Sequence, residues 1–202
     1  MVVSMESMTS LLPVVCICGP SAAGKSTFAA ALADALQADG RRPLLIACDN
    51  YYRQDWSPHP VFGFDTVDAI DRESLLADLS AARQSLARTL RHYDMRSRTV
   101  GRRSVSNGYD IILLEGAYGP QLLGHLPLSE LIYLEESIAL RLWRRLRRDV
   151  RDRQRSPMYV IRQMLFEMLP GERQFILPLR KQATHVIHDQ SRELHQVLKT
   201  LR

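Results

Sequence analysis

Cysteine is scarce, with Cys16, Cys18 and Cys48 the only three in 202 residues. All three sit inside apolar, strand-like runs, and no fourth ligand stands at metal spacing. That excludes a disulfide scaffold and a thiolate metal site, and predicts buried thiols in a reducing cytoplasm. Long apolar runs are lacking as well. Leu11–Cys18 is broken by Pro13, far short of the roughly 20 residues a spanning helix needs, so no membrane partner is expected. The first residues hold no basic cluster, and that run leads into a glycine-rich motif rather than a cleavage site, so no signal peptide is expected. With 46% hydrophobic and 24% charged residues the chain is neither a disordered tail nor a collagen-like fibre. Its length suits a single domain spanning 1–202.

A net excess of positive charge is missing from most of the chain. Lys and Arg number 27 against 22 Asp and Glu, a net +5. Residues 141–155 alone carry eight arginines against Asp149 and Asp152, or +6, which leaves −1 for everything else. A nucleic-acid binder spreads basic side chains over a face. This confinement predicts a local anion site and no nucleic-acid partner.

Apolar patterning alternates strand with helix. Short buried-strand runs are expected at Val14–Cys18, Pro43–Cys48, Ile111–Leu114, Leu131–Leu134 and His185–Ile187. Helices are expected at Lys25–Asp39, closed by Gly40, and from an Asp71 N-cap to about Leu86. Others should run from a Ser137 cap to about Asp152 with an apolar stripe of Trp143, Leu146 and Val150, over Met158–Leu169 and Glu172–Leu177, and from about Ser191. Such alternation means an α/β three-layer sandwich, a mainly parallel sheet covered on both faces. Tyr51–Phe64 and Leu90–Gly108 break the alternation and read as functional loops.

Gly19-Pro20-Ser21-Ala22-Ala23-Gly24-Lys25-Ser26 fits G-x-x-x-x-G-K-[ST], with a strand before it and a helix after it. Backbone N–H groups can curl around phosphates only where side chains are small, and the helix N-terminus adds its positive end. The expected nucleotide site is Gly19, Ser21, Ala22, Ala23, Gly24, Lys25, Ser26 and Thr27, with Lys25 bridging the phosphates of ATP and Ser26 holding Mg²⁺. The guanine-reading N-K-x-D, the D-x-x-G switch and the L-S-G-G-Q signature are all missing, which leaves a small-molecule kinase. Asp49 and Glu115 end the second and third strands, so both should face the crevice at the sheet's C-terminal edge. Asp49 suits the base that receives the acceptor's proton, and Glu115 suits Mg²⁺.

The phosphate loop, Asp49-Asn50-Tyr51-Tyr52-Arg53, Phe64-Asp65-Thr66-Val67-Asp68, Tyr93-Asp94, Leu114-Glu115-Gly116 and Arg144–Arg148 with Arg153-Gln154-Arg155 occur in one order. In this the chain resembles the uridine kinase and phosphoribulokinase-like family of P-loop kinases from about Val14 to Ile187. The resemblance implies that Asp49 is the base toward a 5′-hydroxyl, that Tyr52 and Phe64 flank a nucleoside, that Asp65 contacts ribose and that Tyr93 stacks near the base. It also implies that Arg148, Arg153 and Arg155 belong to a mobile lid over the phosphates, and that Gln163 contacts substrate. The family's base-reading histidine is replaced by Arg98, a donor-only, always-charged group. The expected activity is transfer of the γ-phosphoryl of Mg-ATP to a small nucleoside-like acceptor, uridine or cytidine. The alternatives are kinase action on another small or sugar-like alcohol, and an inactive nucleotide-binding regulator; a homo-oligomer is compatible with either.

Overall fold

Runs of consecutive apolar residues have no polar face to turn outward, so they are stable only as strands covered on both sides. The computed structural model describes residues 11–201, and the opening residues behind the signal-peptide expectation lie outside it. In chain order the elements are β1 (Val14–Cys18), α1 (Lys25–Ala38), β2 (Pro43–Ala47), α2 (Arg72–Arg83), β3 (Thr89–Asp94), β4 (Thr99–Ser104), β5 (Ile111–Glu115) and α3 (Gly119–Leu123). There follow β6 (Glu130–Leu134), α4 (Ile138–Arg151), α5 (Pro157–Gln163), α6 (Leu169–Gly171), β7 (His185–Ile187) and α7 (Gln190–Thr200).

Among the described residues one sheet has the order β2-β5-β1-β6-β7, with every pair parallel. Alternate residues of each strand supply opposite faces. Val15, Ile17, Leu113 and Ile132 pack under α1 and α7, whereas Cys16, Ile46, Leu114 and Tyr133 pack with α2 and α3. The three cysteines are buried and unbonded, as expected. Burial pushes the Cys18 thiol up to about 12 and raises Cys16 and Cys48 as well, so none is poised to react. No helix among the described residues is long and apolar enough to cross a membrane.

β1 is the switch point of the topology. The chain leaves it for β2 and β5 on one side, then crosses to β6 and β7 on the other. Ligands bind at the C-terminal ends of strands on either side of such a reversal. Glu115 pairs in register with Ile17 on one side and Ala47 on the other, which sets it at the centre of that edge.

Four expectations need correction. The second strand ends at Ala47, and Asp49 lies in a 3₁₀ turn, Cys48–Tyr51. Much of the supposed loop Leu90–Gly108 is the antiparallel hairpin β3–β4, missed because β4 is Arg- and Gly-containing and fully exposed, with no apolar alternation to announce it. Residues 157–182 run on as helical turns, α5 and α6 joined by wider π turns at Met164–Met168 and Glu172–Ile176. The predicted apolar stripe of α4 is wrong at Trp143, which is 55% exposed beneath the Arg147 guanidinium. The fully buried positions of α4 are Arg141, Arg145 and Asp149, four apart, each neutralised by ion pairs rather than hidden by apolar contact. Leu146 and Val150 do pack inward, onto a small separate cluster of Val160, Met164 and Met168.

Candidate active site

The loop after β1 turns sharply because Gly19 (φ 138°), Ala22 (φ 61°) and Gly24 (φ 95°) take left-handed backbone angles. A Cβ at Gly19 would stand 2.5 Å from the Leu134 carbonyl oxygen, so the close approach to β6 demands glycine there. The loop amides and the N-terminus of α1 converge on a cavity of about 410 Å³, lined by Ser21, Ala22, Gly24, Lys25, Ser26 and Thr27. Gly19 and Ala23 shape the loop from behind and do not line the cavity; Ala23 is buried, its carbonyl accepting from Gln190 at 2.7 Å. Lys25 Nζ donates to the Pro20 carbonyl at 2.9 Å. Burial lowers its pKa, with Glu115 and Asp49 opposing. A half-buried amine among anions, lining the cavity beneath the loop, suits a phosphoryl oxygen.

Ser26 Oγ donates to Glu115 Oε1 at 3.0 Å. Burial first, and Asp49 second, push Glu115 up from 4.5 to about 7. A hydroxyl beside a carboxylate crowded by another carboxylate is an oxygen donor set suited to a hard cation such as Mg²⁺. Asp49 lines the same cavity and has no hydrogen bond or ion pair among the described residues, so its oxygens are free to accept.

The far wall is aromatic. Tyr52 and Tyr93 rings lie 5.9 Å apart, and the Arg98 guanidinium sits 4.8 Å over the ring of Phe64. The hairpin β3–β4 is what brings Tyr93 and Arg98 there. It is pinned by Asp78, which accepts from Tyr51 Oη at 2.9 Å, Arg91 N at 2.8 Å and Arg102 Nη2 at 2.7 Å. Asp94 Oδ1 accepts from the amides of Arg96 and Ser97 in the hairpin turn, which closes with Arg98 at φ 58°.

The arginine-rich segment forms the roof. Asp149, fully buried, lies within 4 Å of four guanidiniums: Arg148 Nε at 2.8 Å, Arg155 Nη1 at 3.4 Å, Arg153 Nη1 at 3.5 Å and Arg145 Nε at 3.9 Å. Burial would raise its pKa, but Arg148 and Arg153 prevail and hold it below 3.8. Arg145 also donates from both terminal nitrogens to Asp65, each at 3.0 Å. Gln163, 2% exposed, accepts from Arg155 at 3.2 Å.

The model of the phosphoribulokinase / uridine kinase family matches residues 14–195. The chain belongs to that family. Uridine kinase of Lactobacillus johnsonii is 30% identical over 190 residues, covering 89% of this chain and 88% of that protein. Uridine kinase of Chloroflexus aggregans is 33% identical over 181 residues, covering 84% and 83%. Among solved structures, one described as a possible uridine kinase from Bacillus stearothermophilus superposes with TM-score 0.66 at 19% identity over 92% of both chains. The D-glycerate 3-kinase of Cryptococcus neoformans gives 0.60 at 15% identity over 85% and 82%. These two structures share the fold, a P-loop α/β sandwich.

As a member of the phosphoribulokinase / uridine kinase family the protein is a phosphotransferase with an alcohol acceptor. The cavity gathers Lys25, Ser26, Asp49, Tyr52, Phe64, Asp65, Tyr93, Arg98, Glu115, Arg148, Arg153, Arg155 and Gln163 from seven separate stretches of chain. His59 is instead spent on its own turn, accepting from Val61 and Phe62 amides. His185 and His188 each face a different glutamate, and no group of three metal-ligating side chains of His, Cys, Asp or Glu occurs among the described residues. Sequence reasoning missed Tyr118 and Glu172, which line the cavity, and Arg141 and Asp149, which are buried behind it in the roof. Their placement follows from contacts between remote segments, and only the acid inside the arginine run offered a clue.

The raised Glu115 has a measurable consequence. Between pH 4.5 and about 7 the folded chain holds a proton that the unfolded chain has released, so stability falls as pH rises across that window and the loss is complete above it. Glu115→Gln is therefore expected to melt above the parent at pH 8 without metal or nucleotide, and level with it near pH 4. A constant difference across the two pH values would contradict the assignment.

Proposed function

We propose that the enzyme transfers the γ-phosphoryl group of Mg-ATP to the 5′-hydroxyl of a nucleoside, uridine or cytidine, in the cytoplasm. The observation that carries the reading is the unpaired Asp49 carboxylate in one cavity with Lys25, Ser26 and an aromatic wall. The loop amides and Lys25 hold the β- and γ-phosphates, with Lys25 exchanging the Pro20 carbonyl for a phosphoryl oxygen. Ser26 and Glu115 would hold Mg²⁺, which when bound supplies charge neutralisation at the phosphoryl oxygens. Tyr52, Phe64 and Tyr93 flank the nucleoside, with Asp65 and Gln163 at its polar edge. Asp49 orients the hydroxyl and receives its proton as the oxygen attacks phosphorus and ADP leaves. Arg148, Arg153 and Arg155 face the charge spread over the transferring group.

A second acceptor class, an acidic or sugar-like alcohol, is favoured by Arg98. This donor-only cation has no carboxylate partner among the described residues and is aimed at the cavity over Phe64. ADP release measured across nucleosides, sugars and hydroxy acids separates the two. Turnover confined to uridine and cytidine supports the first reading, and turnover confined to acidic or sugar-like alcohols replaces it with the second. Mg-ATP binding without turnover of any acceptor would mark an inactive nucleotide-binding protein. Arg98→Gln is expected to raise the acceptor's KM about 10-fold and leave that of ATP within about 2-fold, the size of one lost charge-assisted hydrogen bond.

A further inference from the structure

Ser21, in the phosphate loop, is held from three directions by side chains of the roof. Glu172 Oε1 accepts from its amide N–H at 3.0 Å, Arg141 Nη1 donates to its carbonyl at 3.2 Å, and Arg145 Nη1 donates to its hydroxyl at 3.1 Å. Arg141 Nη1 and Glu172 Oε1 are themselves paired at 2.7 Å, with side chains only 6% and 4% exposed. Arg141 Nε is tied to the Glu136 carbonyl at 3.2 Å. The helical turn bearing Glu172 comes this close because Gly171 has no side chain: a Cβ there would stand 2.3 Å from the Asp65 carbonyl oxygen.

Two physical demands meet at this point. The residue after Ser21, Ala22, is an L-residue in the left-handed region, a conformation that costs about 1 kcal/mol or more unless the surroundings impose it. A clamp on both polar groups of the preceding residue imposes it. The clamp, however, brings a buried carboxylate to the loop where a triphosphate must lie, and Glu172 is near enough to act on the Lys25 amine. An unneutralised anion there would repel the ligand that the loop is shaped for.

We infer that Arg141 and Glu172 act as a charge-neutral couple of positioning residues. Glu172 locks the Ser21 peptide so that the following amides face one anion, and Arg141 cancels the charge that Glu172 brings. The inference rests on the reading of a nucleoside triphosphate as phosphoryl donor, and it goes beyond the acceptor question. The prediction is an opposition of sign. Arg141→Met leaves the carboxylate bare and weakens Mg-ATP binding. Glu172→Gln keeps an oxygen for the Ser21 amide, frees the Arg141 charge and tightens it. A couple that merely braced the loop would lose affinity with either change.

The test is calorimetric titration of Mg-ATP into the parent, Arg141→Met, Glu172→Gln and the double variant, without any acceptor. The expected dissociation constant is about 10-fold higher for Arg141→Met and about 3-fold lower for Glu172→Gln. The double variant should return to within about 3-fold of the parent, the non-additivity of a coupled buried pair. Glu172→Gln binding as weakly as Arg141→Met, or a double variant as weak as Arg141→Met, would overturn the inference. If Arg141→Met does not fold, the direction of the Glu172→Gln change decides alone: tighter binding supports the couple, and unchanged or weaker binding refutes it. A parent that binds no Mg-ATP overturns the donor reading and this inference with it, whereas a parent that binds while the two variants shift alike overturns only the inference.

Discussion

Asp49→Asn is expected to lower kcat by about 10²–10⁴-fold, the usual worth of a positioned general base, while Mg-ATP binding persists. The substitution is nearly isosteric and Asp49 has no hydrogen-bonding partner to lose among the described residues, so the fold has no reason to rearrange. Asn cannot take the acceptor's proton, and its amide presents one oxygen where the carboxylate presented two. A second readout distinguishes loss of the base from general damage. Asp49 is one of the two causes that push Glu115 up to about 7. Without it, Glu115 titrates lower, and the variant should be more stable than the parent at pH 8 in the absence of metal. Near-parental turnover would show that another group receives the proton. A loss of turnover with parallel loss of ATP affinity would show that Asp49 serves the phosphates instead.

Asp149→Asn is the second large effect, and it falls on stability and rate together. Breaking a buried ion pair by removing one partner costs about 3–5 kcal/mol when the remaining charge stays buried. Here Arg148, 39% exposed, and Arg155, 25% exposed, can turn toward water, whereas Arg145, 6% exposed, cannot. A loss at the lower end of that range, about 3 kcal/mol, is therefore expected in urea unfolding. The guanidiniums that Asp149 gathers include Arg148, Arg153 and Arg155, which line the cavity. Releasing them should reduce kcat by about 10²-fold, the lower end of the scale for a lost group that stabilises developing charge. Leu146→Ala provides the contrast, because it removes apolar contact from the same roof without touching a charge. It should lower stability and spare kcat relative to Asp149→Asn. Equal effects on kcat from both substitutions would mean that the roof matters only as packing.

Where a property depends on neighbours in the chain, it could be read in advance. The phosphate loop is local, since its glycines, its lysine and the start of the helix behind it lie within eight residues. Continuous apolar strands announced the parallel sheet, and Asp71 does cap α2, accepting from Ser74 N at 3.0 Å. Asp49 and Glu115 could be assigned to one edge because parallel strands share a direction. The roof resisted the same reasoning. Arg141, Arg145 and Asp149 occupy positions that periodicity reserves for apolar residues. Periodicity has no means of knowing that Asp65, Glu172 and a ring of arginines will arrive to neutralise them. The β3–β4 hairpin was illegible for a related reason: its second strand is exposed on both faces, so no burial pattern marks it.

By itself, then, the order of amino acids determined the sheet, the nucleotide-facing loop and the choice of acids that meet it, because each follows from backbone geometry and the spacing of apolar residues within a short stretch. Only the tertiary structure decided which arginines face the cavity and which are buried against carboxylates. It also decided that Glu172 reaches the phosphate loop from 151 residues away. A charge can be buried only beside its counter-charge, and the identity of that counter-charge is a fact of three-dimensional packing.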